Sequence, residues 1–183
     1  MNSYLTSIEK QFEYYKSLGD KTLNQLTFDE LSFKPNSYSN SIAIITKHLV
    51  GNMLSRWTNF LTEDGEKEWR HRDLEFENTF TSKKDLLLAW SKGWNCLFDA
   101  IKPLSENDLE RIIYIRNQGH TITEAINRQI AHYSYHVGQI AYIGTIIKNE
   151  DWQSLSIAKG QSSSYNEDKF NKKKERRHFT DDM

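Results

Sequence analysis

The sequence contains little cysteine, proline or glycine: one, two and eight residues, respectively, among 183. The single cysteine, Cys96, excludes an intramolecular disulfide and is typical of a reducing compartment, so we expect a cytoplasmic protein. Because proline interrupts helices, having only Pro35 and Pro103 leaves room for long ones. No apolar run approaches the roughly 20 residues that span a bilayer, and the N-terminus lacks the pattern of a signal peptide.

An excess of charge of one sign is also lacking. The sequence has 24 basic and 25 acidic residues, and its formal net charge is −1. Such a chain has no global attraction to nucleic acid or to anionic membranes, so we expect neither as a partner. The length suits one domain with a sizeable core and a tail. We predict a domain over residues 1–158 and a polar, flexible tail over residues 159–183, which has too few apolar residues to order itself.

Apolar residues recur at three- and four-residue steps in four long segments, which predicts four amphipathic helices. These helices cover residues 2–26, 41–61, 82–102 and 121–148. The polar connection over residues 62–80 is long enough to run the length of a helix, since an extended chain covers about 3.3 Å per residue. Residues 112–119 alternate weakly and predict a brief extended or hairpin-like link. We predict an all-α four-helix bundle with a long crossover between helices 2 and 3.

Two histidines four residues apart, His132 and His136, lie on the flank of the apolar stripe of the last helix. Positions i and i+4 lie about 40° apart around a helix, so both imidazoles can reach one metal ion. The same spacing also suits two half-buried histidines that bond to polar neighbours. Tyr133 occupies the position where a zinc protease has its general-base glutamate, so peptide hydrolysis is disfavoured.

A third histidine, His48, flanks the stripe of the helix over residues 41–61 in the same way. If this helix packs against the last one, the three imidazoles can meet at one end of the core. Three imidazoles with an open fourth position are typical of a catalytic metal site. Neutral imidazole suits zinc, nickel, iron or copper, and the sequence does not choose among them.

Three segments carry a resemblance to a known superfamily. AINRQIAHYSYHVGQIAYI, preceded by IRNQGHTITE, resembles the last helix of the DinB/YfiT-like superfamily of metal-dependent enzymes, and its DUF1572-type branch in particular. SIAIITKHLVGNMLSRW is similar to the second helix of that family, with His48 at the metal-ligand position. WQSLSIAKGQSSSYN resembles the segment after the last helix. The likeness covers roughly residues 1–166 in order and layout.

This resemblance implies a fold, a metal site and an assembly. The fold is a four-helix bundle with a long crossover between helices 2 and 3. The site binds a divalent metal ion, zinc or nickel, through His48, His132 and His136. Many relatives are homodimers, which agrees with the helix over residues 41–61 being apolar over much of its circumference.

The resemblance also implies a chemistry. Some relatives are transferases or isomerases that use a low-molecular-weight thiol such as bacillithiol or mycothiol. An open metal position lowers the pKa of a bound thiol, and the resulting thiolate attacks a nearby electrophilic small molecule. Arg56 or Asn52, near His48, would hold a carboxylate of the thiol, unless Arg56 forms an internal ion pair. Gln129 and Gln139 would orient an imidazole from behind, or serve packing instead.

Two other functions are compatible with the same residues. One is a metal-binding protein without catalysis, acting in a stress response or as an interaction partner. The other is a structural dimer whose histidines only fill polar pockets. Metal content separates the structural dimer from the two metal-binding alternatives, because only those require a stoichiometric ion.

Overall fold

Helices dominate the structure, a computed structural model that describes residues 3–181. The α-helices are α1 (Ser3–Gln25), α2 (Phe28–Ser32), α3 (Ile42–Trp57), α4 (Lys83–Ile101), α5 (Ile122–Lys148) and α6 (Ser162–Phe170). Single turns of 3-10 helix cover Arg72–Phe76, Glu106–Asp108 and Asn149–Asp151. Strand β1 (Ile112–Ile115) pairs antiparallel with β2 (Gln118–Thr121). The four predicted long helices correspond to α1, α3, α4 and α5, and residue 2 of the first prediction lies outside the described residues.

One hydrophobic core receives side chains from all four long helices. Phe12 of α1, Trp90 and Trp94 of α4 and Tyr133 of α5 are almost completely buried in it. Their rings meet edge to face or tilted, with centroids 5.4–6.4 Å apart, as aromatic side chains prefer. The prediction of a mostly helical chain is confirmed, whereas the specific four-helix-bundle topology stays a prediction.

Helices α3 and α4 pack closely and run in the same direction. Gly93 of α4 faces Val50 and Met53 of α3, and Cys96, one turn later, contacts Met53 and Thr58, just beyond the end of α3. Two parallel helices need a connection that returns along their length. Residues 58–82, hereafter the linker, make that return between α3 and α4.

Side chains of the expected type begin the long helices. The Ser41 hydroxyl accepts a hydrogen bond from the Ile44 amide at the start of α3. At the start of α4, the Ser82 hydroxyl accepts one from the Asp85 amide. At α5 a capping box is complete, because the side chains of Thr121 and Glu124 each accept a hydrogen bond from the backbone N–H of the other. Each cap satisfies backbone donors that a helix otherwise leaves unpaired, and is worth about 1 kcal/mol.

Two local features differ from the prediction. Helix α3 ends at Trp57, four residues before the predicted end, because Asn59 adopts a positive φ of 49° and its carbonyl accepts from the amides of Thr62 and Glu63. The hairpin of β1 and β2 departs from the all-α fold class, although the extended or hairpin-like link predicted over residues 112–119 is confirmed. Its turn residues, Arg116 and Asn117, both have positive φ, as a tight turn between antiparallel strands requires.

The last described residues return to α1. Helix α6 lies within the segment that the sequence predicts to be a polar tail, and His178 Nε2 then lies 3.2 Å from Ser7 Oγ. The ring of Phe179 meets that of Tyr14 edge to face at 5.3 Å. The flexibility of residues 159–183 stays a prediction. Within residues 3–181, no helix combines the length and the apolar character that crossing a bilayer demands.

Candidate metal centre

The three histidines meet at one point between α3 and α5. His48 is buried on α3, and His132 and His136 are half-buried one turn apart on α5. The Nε2 atom of His132 lies 3.3 Å from Nε2 of His48 and 3.1 Å from Nε2 of His136. One ligand nitrogen from each of the three rings lies within 4.8 Å of those of the others. The prediction that these imidazoles converge is therefore confirmed.

The spacing of the nitrogens fits a single bound cation. An ion with metal–nitrogen bonds of about 2.0–2.1 Å and tetrahedral angles places its ligand nitrogens about 3.3 Å apart. The two Nε2–Nε2 distances are close to that value. A proton shared between two of the three Nε2 atoms leaves the third without a hydrogen-bond donor, so the neutral imidazoles cannot satisfy all three lone pairs among themselves. A metal ion would satisfy all three.

A carboxylate from the linker orients His48. The Nδ1–H of His48 donates to Glu75 Oε2 at 2.9 Å. Glu75 in turn accepts from Nε and Nη2 of Arg70, at 2.7 and 3.0 Å. Burial raises the pKa of Glu75, but the hydrogen bonds from His48 and Arg70 outweigh it and hold this pKa below its usual range. A carboxylate on Nδ1 fixes the tautomer whose Nε2 carries a free lone pair.

An amide on α5 orients His136 in the same manner. The Nδ1–H of His136 donates to Gln139 Oε1 at 2.7 Å, and Gln139 Nε2 donates to the Tyr135 hydroxyl at 3.0 Å. Gln139 therefore lies behind an imidazole, as the sequence suggests. Gln129 is buried, but its Oε1 has no hydrogen-bond partner among residues 3–181.

The imidazoles of α5 are neutral at neutral pH. Burial, together with the smaller effects of the neighbouring His136 and His48, lowers the pKa of His132 to about 3. Burial also lowers the pKa of His136, although the hydrogen bond that its Nδ1–H donates to Gln139 Oε1 acts in the opposite direction. A metal ligand must be deprotonated, so these surroundings favour the form that binds a cation.

Asn52 and Arg56 lie beside the centre but already have internal partners. Asn52 Oδ1 accepts from the Tyr133 hydroxyl at 3.0 Å. The guanidinium of Arg56 donates to the carbonyl of Gly65 and, at 3.1 Å, to Glu66 Oε2, so the internal ion pair considered for this arginine is present. Burial lowers the pKa of Arg56, although Glu66 opposes this effect.

Both side chains nevertheless line a cavity that His48 and His132 share. Its volume is about 190 Å³, and Gln129 also lines it. The four side chains proposed to surround the ligands and the substrate thus divide into two groups. Asn52, Arg56 and Gln129 face this cavity, whereas Gln139 lies behind the imidazole of His136.

Sequence reasoning missed Glu75 and Arg70. Both lie in the segment that the sequence predicts only to be a polar connection, yet both are buried. The 3-10 turn that contains Glu75 covers only Arg72–Phe76, too short for a helical periodicity to reveal which side faces the protein. The Phe76 ring stacks on the imidazole of His48 with centroids 5.6 Å apart. No single-sequence signal distinguishes Glu75 from the exposed acidic residues around it.

Comparison with known proteins gives a family and a fold. The family model described as protein of unknown function (DUF1572) matches residues 1–161. A solved structure described as a conserved protein from Enterococcus faecalis matches with a TM-score of 0.60 and 17% sequence identity. The match covers 80% of this chain and 98% of that chain, and it shows a shared fold. No curated protein gives a significant match.

Proposed function

We propose a function for this chain, which belongs to the DUF1572 family of proteins of unknown function: its three-histidine cluster binds one divalent metal ion in an enzyme active site. The observation that carries the proposal is the convergence of three Nε2 atoms, 3.1–3.3 Å apart along the cluster. Glu75 and Gln139 hold two of the rings by Nδ1, which leaves their Nε2 lone pairs free. Zinc or nickel suits a site made of neutral imidazoles.

The surroundings of the cluster favour catalysis over a purely structural role. Structural zinc sites are closed by four protein ligands, whereas catalytic sites have three and leave a position for water or substrate. Among residues 3–181, three histidines form this cluster, and no fourth histidine, cysteine or carboxylate joins it. The adjoining cavity of about 190 Å³ gives a small molecule access to His48 and His132.

The proposed reaction transfers a low-molecular-weight thiol, such as bacillithiol, to an electrophilic small molecule. A carbon–sulfur bond forms, the leaving group departs from that carbon with the electron pair, and the thiol proton passes to solvent. A bound divalent ion would supply a Lewis acid that lowers the pKa of the thiol. The histidines would hold this ion, and Asn52 and Arg56 would position the thiol in the cavity.

The likeness of α3 and α5 to the DinB/YfiT-like superfamily supports this proposal. The same likeness supports a four-helix bundle, a homodimer and a cytoplasmic location, which belong to the proposal as well. The parallel arrangement of α3 and α4 is compatible with that bundle, because it requires the long crossover that the superfamily has.

Purified protein, loaded with zinc or nickel and then freed of unbound ion, provides the test. We expect one ion per chain, and we expect conjugation of 1-chloro-2,4-dinitrobenzene with at least one of bacillithiol, glutathione and coenzyme A. Mass spectrometry of the products identifies the conjugate, and the His132→Ala variant is the control. Bound metal without conjugation would instead favour a non-catalytic metal-binding protein, and absence of stoichiometric metal would leave only a structural cluster.

A further inference from the structure

Arginine residues surround the cavity beside the three histidines. They come from separate parts of the chain: Arg56 from α3, Arg70 and Arg72 from the linker, Arg116 from the hairpin turn and Arg128 from α5. No carboxylate from residues 3–181 lines this cavity. Guanidinium groups repel one another, and burying them is costly unless an anion compensates. Their convergence from four elements therefore needs an explanation.

Two buried arginines of the cavity each have one nitrogen without a hydrogen-bond acceptor among the described residues. Arg56 and Arg70 are 7% and 9% exposed. Among residues 3–181, Arg56 Nε and Arg70 Nη1 have no hydrogen-bond acceptor, although other nitrogens of the same groups are bonded. An unsatisfied buried donor costs about 1–3 kcal/mol, and more when it is charged. An acceptor supplied from outside the chain would remove that cost.

Internal ion pairs do not neutralise the set. Glu66 Oε2 is shared by Arg56 and Arg116 at 3.1 Å each and by Arg70 at 3.6 Å. Glu75 is occupied by Arg70 and His48. Two carboxylates thus serve three of the arginines, and the set keeps a net positive charge.

The two exposed arginines of the cavity have no carboxylate partner in the part of the chain that the structure describes. Arg72 and Arg128 are exposed, and neither forms an ion pair with any side chain within residues 3–181. Both remain available to a ligand that enters the cavity. Guanidinium groups bind carboxylate and phosphate oxygens in bidentate geometry, which makes arginine the usual residue for recognising these groups.

We propose that this cavity binds an oxyanion, a carboxylate or phosphate group, carried by the small molecule that reacts at the three-histidine centre. A volume of about 190 Å³ accommodates such a group and not a macromolecule. The unpartnered Gln129 Oε1 at the same wall would accept from a hydroxyl or N–H next to the oxyanion. The identity of the group as part of a substrate rests on the proposed function, but the anion site itself does not.

The test uses inorganic phosphate and succinate as probes, titrated calorimetrically into metal-free protein. We expect one saturable site for at least one probe, and the stronger probe indicates which oxyanion the cavity prefers. The Arg72→Gln/Arg128→Gln variant should weaken binding about tenfold or more, because each change removes a charged hydrogen-bond donor. Both side chains are exposed and unpaired, so we expect the variant to fold normally.

Matched controls make the outcome decisive. Arg111→Gln/Arg176→Gln makes the same change of charge at exposed arginines outside the cavity, and should bind the probe as the unmodified protein does. His136→Ala removes a proposed metal ligand that does not line the cavity, so it should lose metal yet keep anion binding, which separates this inference from the proposed function. Absence of saturable binding, equal losses in the two double variants, or loss of the anion in His136→Ala would each overturn the inference.

Discussion

Two regions build the candidate centre, and they use opposite kinds of buried residue. In α3 and α5 the buried positions are largely apolar, and the histidines lie at the edge of that apolar surface. In the linker, charged residues are buried: Lys67, Arg70 and Glu75 are each at most 9% exposed. The helices supply the proposed ligands, and the linker supplies the carboxylate that orients one of them. The comparison teaches that the three-histidine cluster depends on a segment outside the regular helices.

Removing a ligand from the helical region should have the largest effect. His132→Ala deletes the central imidazole, whose Nε2 lies near those of both other rings, so we expect loss of stoichiometric metal. Metal content by mass spectrometry after dialysis measures this. His71→Ala, which removes an exposed histidine from the linker, is the control and should keep its metal. Stoichiometric metal in His132→Ala would refute the assigned ligands.

Removing the carboxylate of the linker should have the next largest effect. Glu75→Gln keeps the shape of the side chain but loses its charge, so Arg70 loses an ionic partner and His48 loses its carboxylate acceptor. We expect metal affinity to fall about 10–100-fold, as for other residues that orient a ligand. Competition with a chromogenic chelator gives the affinity. Glu77→Gln, an exposed change in the same linker, should alter it little, and equal effects of the two variants would mean that the linker only connects α3 to α4.

Acid should destabilise the helical side of the centre before the linker side. The pKa of His132 is lowered from its ordinary 6.5 to about 3, so between these values the unfolded chain binds a proton that the folded chain does not. Stability of the metal-free protein should therefore fall as the pH drops below about 6.5. The pKa of Glu75 is also lowered, but from an ordinary value of 4.5, so its contribution is lost only at lower pH.

Urea unfolding of metal-free protein between neutral pH and pH about 5 measures this dependence. His132→Gln removes the titrating group and should flatten the slope, whereas Glu75→Gln should leave this part of the curve nearly unchanged. An unaltered slope in His132→Gln would show that the imidazole on α5 does not control stability in this range.

Replacing either of two glycines by alanine should have the smallest effect, and the pair compares an exposed position of α5 with a position of α3 that contacts the linker. Gly138 of α5 is exposed, and a Cβ there would meet nothing within 4 Å, so Gly138→Ala should stabilise the protein by about 1 kcal/mol. A Cβ at Gly51 of α3 would overlap the carboxylate of Glu75, which its hydrogen bonds hold in place. Gly51→Ala should therefore not stabilise the protein, and it should weaken metal binding. Equal stabilisation of both variants would contradict the close contact between α3 and Glu75.

Regular periodicity explains what could be predicted from the sequence. The stripes of α1, α3, α4 and α5 repeat over several turns, so these helices and the flanking positions of His48, His132 and His136 follow from spacing. The end of α3 does not follow from spacing, because the apolar pattern continues to Leu61 whereas the positive φ of Asn59 ends the helix before it.

The charged residues of the linker could not be placed from the sequence for a different reason. Glu75 is buried only because it meets His48, which is 27 residues away, together with Arg70. Nothing within the linker sequence encodes that meeting. The arginine cavity is a similar case, since its side chains come from α3, the linker, the hairpin turn and α5.

Anomalous X-ray diffraction from crystals of metal-loaded protein, recorded on both sides of the absorption edge of the loaded ion, tests the central claim most directly. The account predicts one anomalous peak per chain, about 2.0–2.2 Å from the Nε2 atoms of His48, His132 and His136. An anomalous peak elsewhere, or no peak between these three imidazoles in protein that was loaded with metal, would contradict it.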